Sequence, residues 1–144
     1  MSVFVSKSVS ETVELGCRLG SMIKGGCVVA YFGTMGMGKT AFTHGLAKGL
    51  GIDDKIVSSP TFALVHEYRG PACNLYHFDM YRISTWDDLY STGYFDYIDS
   101  GAVLAVEWSE NIENTLPDNA VKVIFSQGET ENERIIEIIG VDLN

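Results

Sequence analysis

One octapeptide constrains this chain more than any other segment. Gly33-Thr34-Met35-Gly36-Met37-Gly38-Lys39-Thr40 satisfies the pattern G-x-x-x-x-G-K-[ST] at every fixed position. It follows Cys27 to Phe32, six apolar residues that read as a strand covered on both faces. From Lys39 to Leu50 the positions Ala41, Phe42, Leu46, Ala47 and Leu50 have helical spacing, and Gly51 stands where a helix C-terminal glycine belongs. A loop held between a buried strand and a helix start presents successive N–H groups, and the positive end of the helix, to an anion. Gly33, Gly36 and Gly38 let the backbone approach phosphate oxygens where a Cβ would collide. Lys39 supplies a mobile charge for β- and γ-phosphates, and Thr40 a hydroxyl for Mg²⁺.

Chemistry on a bound nucleotide also asks for a carboxylate at the end of a buried strand beside the loop. Two residues qualify. Glu107 closes the apolar run Ala102 to Val106, so it emerges at the carboxyl edge of the sheet, where ligands of open α/β folds collect. Asp79 closes the less apolar Leu75 to Phe78. Position favours Glu107 on the Mg²⁺ side and Asp79 as a catalytic or water-ordering group, with the reverse left open. Between loop and Asp79 lies Ser58-Ser59-Pro60-Thr61-Phe62, where Pro60 pushes Ser59 towards an extended conformation. The segment reads either as a strand-leading turn or as a switch whose Thr61 senses the γ-phosphate or Mg²⁺.

The remaining pattern is α/β. Ser8 to Glu11 has capping-box spacing, and Thr12, Leu15, Leu19, Met22 and Ile23 follow on one helical face as far as Gly25-Gly26. Thr61 to Tyr68 and Cys73 to Asp79 read as strands joined around Gly70-Pro71, and a short helix starts at Ser84 or Thr85. Val121 to Phe125 and Arg134 to Ile139 alternate about a polar turn, predicting an antiparallel C-terminal hairpin. Interleaved strands and helices give a mostly parallel central sheet flanked by helices, within one domain over residues 1–144.

Nineteen acidic and ten basic residues leave a net charge of −9, which excludes a basic nucleic-acid footprint. An anion must therefore be held by local N–H groups and a few cations. Cys17, Cys27 and Cys73 form neither a disulfide framework nor a zinc quartet. With no signal-peptide pattern and no apolar run of membrane-spanning length, a soluble protein of the reducing cytoplasm is expected, without membrane contact. His44, His66 and His77 lack metal-ligand spacing, although His77 stands two residues before Asp79. Arg82 suits either a γ-phosphate contact or an ion pair at the sheet edge. Tyr90, Tyr94, Phe95 and Tyr97 read as core or partner surface, since a base-stacking platform would interleave basic residues.

GTMGMGKT, SSPTFALVHEY, LYHFDMYR and LAVEWSE, in this order and spacing, resemble the TsaE (YjeE) family over essentially the whole chain. Within the loop, Thr34-Met35 and Met37 stand where the family usually carries Asp-Leu and Ala. The resemblance implies a small P-loop ATPase required for making N6-threonylcarbamoyladenosine in tRNA. It implies ATP held by Gly33 to Thr40, including Met35, Gly36, Met37 and the adjoining Ala41, and Mg²⁺ held by Thr40 and Glu107. Lys39, Asp79 and Thr61 are then the residues on which activity depends, Trp108 lies near enough to report on binding, and outlying nucleotide contacts fall at Ser8 and Arg134. The implied partners are the TsaD and TsaB proteins, through which tRNA is mostly held. On residues alone, a small phosphotransferase is the main rival, but Arg18, Arg69, Arg82 and Arg134 are too scattered for a phosphate-clamping lid. A guanine-nucleotide switch would need an N-K-x-D segment, which the chain lacks.

Overall fold

The computed structural model describes residues 2–23, 25–33, 38–53 and 65–143. Seven strands form one sheet: β1 (Ser2–Ser6), β2 (Val28–Phe32), β3 (Val65–Tyr68), β4 (Leu75–Asp79), β5 (Val103–Glu107), β6 (Val121–Gln127) and β7 (Arg134–Ile139). Their order is β1-β7-β6-β2-β5-β4-β3. The central β6, β2, β5 and β4 run parallel, while β7 and β3 are antiparallel to their neighbours. The expected C-terminal hairpin is β6–β7, and β3–β4 pair antiparallel across Gly70-Pro71.

Side-chain alternation sorts the sheet into two faces. Val29, Tyr31, Val103, Ala105, Leu75, Val123 and Ile136 face α1 (Val9–Met22) and α2 (Lys39–Gly49) in one core layer. Val28, Tyr76, Phe78, Leu104 and Val106 face the other way. They meet α3 (Trp86–Ser91), α4 (Tyr94–Ile98) and a 3-10 stretch, Ser109–Thr115. Tyr31, Phe42 and Phe125 lock the first layer with mutual edge-to-face contacts at centroid distances of 5.6–5.8 Å, the geometry aromatic quadrupoles favour.

Helix α1 begins as expected, with Glu11 N–H donating to Ser8 Oγ at 3.1 Å. The reciprocal bond lands one residue early, from Lys7 N–H to the Glu11 carboxylate at 3.2 Å. Thr12, Leu15 and Leu19 are buried, but Met22 is exposed. At 100° per residue Met22 sits about 90° from the centre of the full buried stripe, which also includes Gly16 and Gly20, and Ile23, just past the helix end, packs against the core instead. Gly16 and Gly20 of α1 meet Gly45 and Gly49 of α2 so closely that an added Cβ at any of the four would strike the facing helix's backbone. Helix α3 starts at Thr85, whose hydroxyl accepts from Asp88 N–H at 3.1 Å.

Strand β1, α4 and the 3-10 stretch were not expected from the sequence. Strand β1 reverses the usual signal, because Ser2 and Ser6 are buried whereas Val3 and Val5 are exposed. The aromatic set divides: Tyr94 is buried, Tyr97 packs against Tyr76 and Phe78, and Tyr90 lies exposed with half-buried Phe95 against it. All three cysteines are free. Among the described residues, no helix is long and apolar enough to cross a membrane.

Candidate functional site

Strand β2 delivers Gly33 to the carboxyl edge of the sheet, and α2 starts from Gly38, whose φ of 95° is left-handed backbone that glycine adopts without steric cost. Lys39 and Thr40 form the first turn of α2, so both stand at the positive end of its dipole. Lys39 is 5% exposed; its ammonium donates to the Gly33 carbonyl and lies 5.1 Å over the Trp108 ring. Burial lowers the Lys39 pKa, while the negative charges of Glu107, Glu110 and Asp79 act in the opposite sense. Three carboxylates around one ammonium leave the neighbourhood net negative.

Asp79 and Glu107 end adjacent parallel strands in matched register, which puts both carboxylates on the sheet face covered by α2. His77 shares that face and is fully buried, with Nε2 2.6 Å from Glu107 Oε2. The pair is at contact distance without the alignment of a linear hydrogen bond. No hydrogen bond from the described residues engages the second Glu107 oxygen. Asp79 Oδ1 accepts Tyr81 N–H at 2.9 Å, which fixes its carboxylate and leaves Oδ2 for a water.

The 3-10 stretch brings two further residues to this edge. Glu110 Oε2 accepts the Gly33 N–H at 3.0 Å. Trp108, at φ 60°, is the non-glycine residue with positive φ among those described, a conformation costing about 1–2 kcal/mol. It turns the indole over Lys39 and to 4.8 Å from the Tyr81 ring. Around the corner, a cleft of about 380 Å³ is lined by Lys7, Ser8, Val9, Gly38, Ala41 and Arg134, among others. Arg134 Nη1 donates to the Glu131 and Glu133 carbonyls at 2.7 and 2.8 Å, which holds the side chain at the cleft wall.

Thus Gly33, Gly38, Lys39, Thr40, Asp79 and Glu107 gather at one sheet edge, and Ser8, Ala41 and Arg134 gather with Gly38 in the adjoining cleft. Thr34, Met35, Gly36 and Met37, and Ser58 to Phe62 with Thr61, lie outside the described residues. Arg82 is exposed and makes no ion pair among the described residues, so the sheet-edge anchor is not seen there. Sequence reasoning missed Glu110, the backbone of Trp108 and the His77–Glu107 contact. The position of His77 on the alternation leading to Asp79 was a usable signal, because it puts both residues on one face.

The described residues contain no group of three His, Cys, Asp or Glu that could hold a metal by itself. The donor set present is one hydroxyl, Thr40, one carboxylate, Glu107, and a net-negative surround. That fits Mg²⁺, which is usually bound through one or two carboxylates plus the phosphates of its nucleotide.

Fold and site together define an α/β protein in which β2 and α2, joined across a glycine-rich sequence, meet paired carboxylates at the carboxyl edge of a mixed sheet. The family described as threonylcarbamoyl adenosine biosynthesis protein TsaE matches residues 6–136, and the chain belongs to that family. It is 37% identical over 119 residues to the tRNA threonylcarbamoyladenosine biosynthesis protein TsaE of Treponema pallidum, covering 83% of this chain and 87% of the relative. The Bacillus subtilis protein of the same name is 36% identical over 131 residues, covering 90% and 81%. Among solved structures, the crystal structure of Bacillus subtilis YdiB superposes with a TM-score of 0.73 at 29% identity, covering 94% of this chain and 82% of that one.

Proposed function

We propose that this protein binds and hydrolyses ATP with Mg²⁺ as a subunit of the cytoplasmic machinery that forms N6-threonylcarbamoyladenosine in tRNA, acting with TsaD and TsaB. The observation carrying the reading is the convergence of Lys39 and Thr40, at the start of α2, with Glu107 and Asp79 at the ends of neighbouring strands. Family membership supports the biosynthetic setting.

In this reading Lys39 exchanges the Gly33 carbonyl for the β- and γ-phosphates, and the nucleoside occupies the cleft between Ser8, Ala41 and Arg134. Thr40 and Glu107 hold Mg²⁺, which when bound neutralises charge developing on the phosphate oxygens. His77 fixes the Glu107 carboxylate from behind. Asp79, anchored by Tyr81 N–H, orders the attacking water or takes its proton, and Thr61 senses the γ-phosphate. The phosphotransferase alternative gains no support from arginine placement. Arg18 donates to the Leu143 carbonyl and Arg69 pairs with Glu67 at 3.2 Å, both away from Lys39.

A multiple-turnover modification assay reconstituted with TsaD and TsaB, with and without this protein, tests the role. Product should require the protein, and hydrolysis should be slow alone and faster with the partners. Glu107→Ala should weaken Mg²⁺-dependent binding, whereas Asp79→Ala should mainly slow turnover. Modification that never needs the protein would overturn the reading, and the reverse variant pattern would exchange the two carboxylates' roles.

A further inference from the structure

The negative charge of the chain is concentrated. From Ile83 to Val121 there are eight Asp or Glu and no Lys or Arg, against a net −9 for the whole protein, so the remainder is close to neutral. This stretch builds α3, α4, β5 and the 3-10 segment; Glu107 points to the α2 face and Glu113 lies 3.9 Å from Lys122, but Asp87, Asp88, Asp96 and Asp99 belong to α3, α4 and the α4 C-cap, in the layer that covers the sheet face opposite α1 and α2. On that acidic face Trp86 is 57% and Tyr90 64% exposed. The two rings pack with Phe95: Trp86 stacks on it at 6.4 Å, with 15° between planes, and Tyr90 lies 4.9 Å from it. Single exposed apolar residues need no explanation, but an aromatic shelf of three mutually packed rings marks an interaction surface. Exposed Asp87 and Asp96 are the chain neighbours of Trp86 and Phe95.

Beside the shelf is a cleft of about 180 Å³ whose lining includes Ile83, Ser84, Trp86, Asn111 and Asn114. Its wall leads to the reaction site. Asn111 Nδ2 donates to the Met80 and Tyr81 carbonyls at 2.6 and 3.1 Å, and Tyr81 N–H holds Asp79.

We infer that this shelf and cleft dock a Lys/Arg-bearing surface of a partner protein, with cationic side chains lying over Trp86 and Tyr90 between the carboxylates. Cations favour aromatic faces, and the surrounding negative charge steers a basic protein onto them. The same field repels phosphate backbones, which disfavours nucleic acid as the occupant. It also disfavours a second copy of this chain, which would bring acidic face against acidic face. Occupation would bear on Asn111 and Tyr81 and so set the position of Asp79, linking docking to hydrolysis. The inference rests on the reading above that the chain works with TsaD and TsaB.

The test measures association of the full chain with the purified TsaD–TsaB pair by calorimetry, at salt from about 50 to about 300 mM, which shortens the screening length of surface charges. The wild type should bind, more weakly as salt rises. Trp86→Ala/Tyr90→Ala and, separately, Asp87→Lys/Asp96→Lys should each weaken association about tenfold or more while leaving the affinity for a non-hydrolysable ATP analogue unchanged. Should the aromatic variant not fold, the charge variant, altered at two exposed positions, decides alone. Unchanged partner affinity in folded variants overturns the docking surface while leaving the functional reading intact. A wild type that never associates overturns that reading and this inference together. Salt-independent association overturns the basic occupant, and tRNA binding by the isolated chain that the aromatic variant loses overturns a protein occupant.

Discussion

Lys39 does two jobs that oppose each other. In the proposed function its ammonium meets phosphates, yet burial disfavours the charged form, which is why its pKa is lowered despite three nearby carboxylates. The sign follows directly: with the folded pKa below the unfolded one, the unfolded state binds more protons between the two values, and stability rises with pH through that window. Lys39→Met should therefore abolish ATP binding while the nucleotide-free protein melts at the same or a higher temperature. A clear fall in Tm would show that the charge supports the empty fold. His77 invites a second test, because a group that orients a ligating carboxylate typically governs metal affinity by about 10- to 100-fold. His77→Phe should raise the Mg²⁺ concentration for half-maximal activity by that order, with Mg²⁺-free nucleotide affinity unchanged. An equal loss of both would assign His77 to sheet packing.

Among the elements, the α1–α2 pair is the most tightly specified. Because a Cβ on Gly45 would be driven into the Val13 carbonyl, Gly45→Ala should destabilise the protein by about 1–3 kcal/mol in urea denaturation, by forcing the helices apart. An unchanged midpoint would mean that the pair slides at little cost. The Ser8 cap, both buried strands and the C-terminal hairpin were legible in the sequence, each resting on local pattern, whereas the glycine contacts of α1 with α2 were not, because they exist only once the two helices meet. Strand β1 was not, since its valines point outward and its serines inward; Ser6 is buried because its hydroxyl meets Thr12 at 2.7 Å. The site divides in the same way. Lys39, Thr40, Asp79 and Glu107 follow from strand and helix ends, whereas Glu110 on Gly33 bridges 77 positions and no local rule finds it.

On the scale of the whole molecule, charge is segregated as well as abundant. The isolated chain should not bind tRNA measurably at about 0.15 M salt, where neither a basic patch nor long-range attraction is at hand. Micromolar retention in a filter-binding assay would contradict this. The sheet order has a consequence in time. Strand β1 pairs with β7, matching Ser2 to Ile138, and the cleft joins Ser8 to Arg134. Segments about 126 positions apart thus line one cleft, so a nascent chain still missing β7 lacks one wall of it. If that cleft holds the nucleoside, as proposed, ribosome-bound intermediates should acquire ATP affinity late and abruptly, when β7 emerges and pairs with β1.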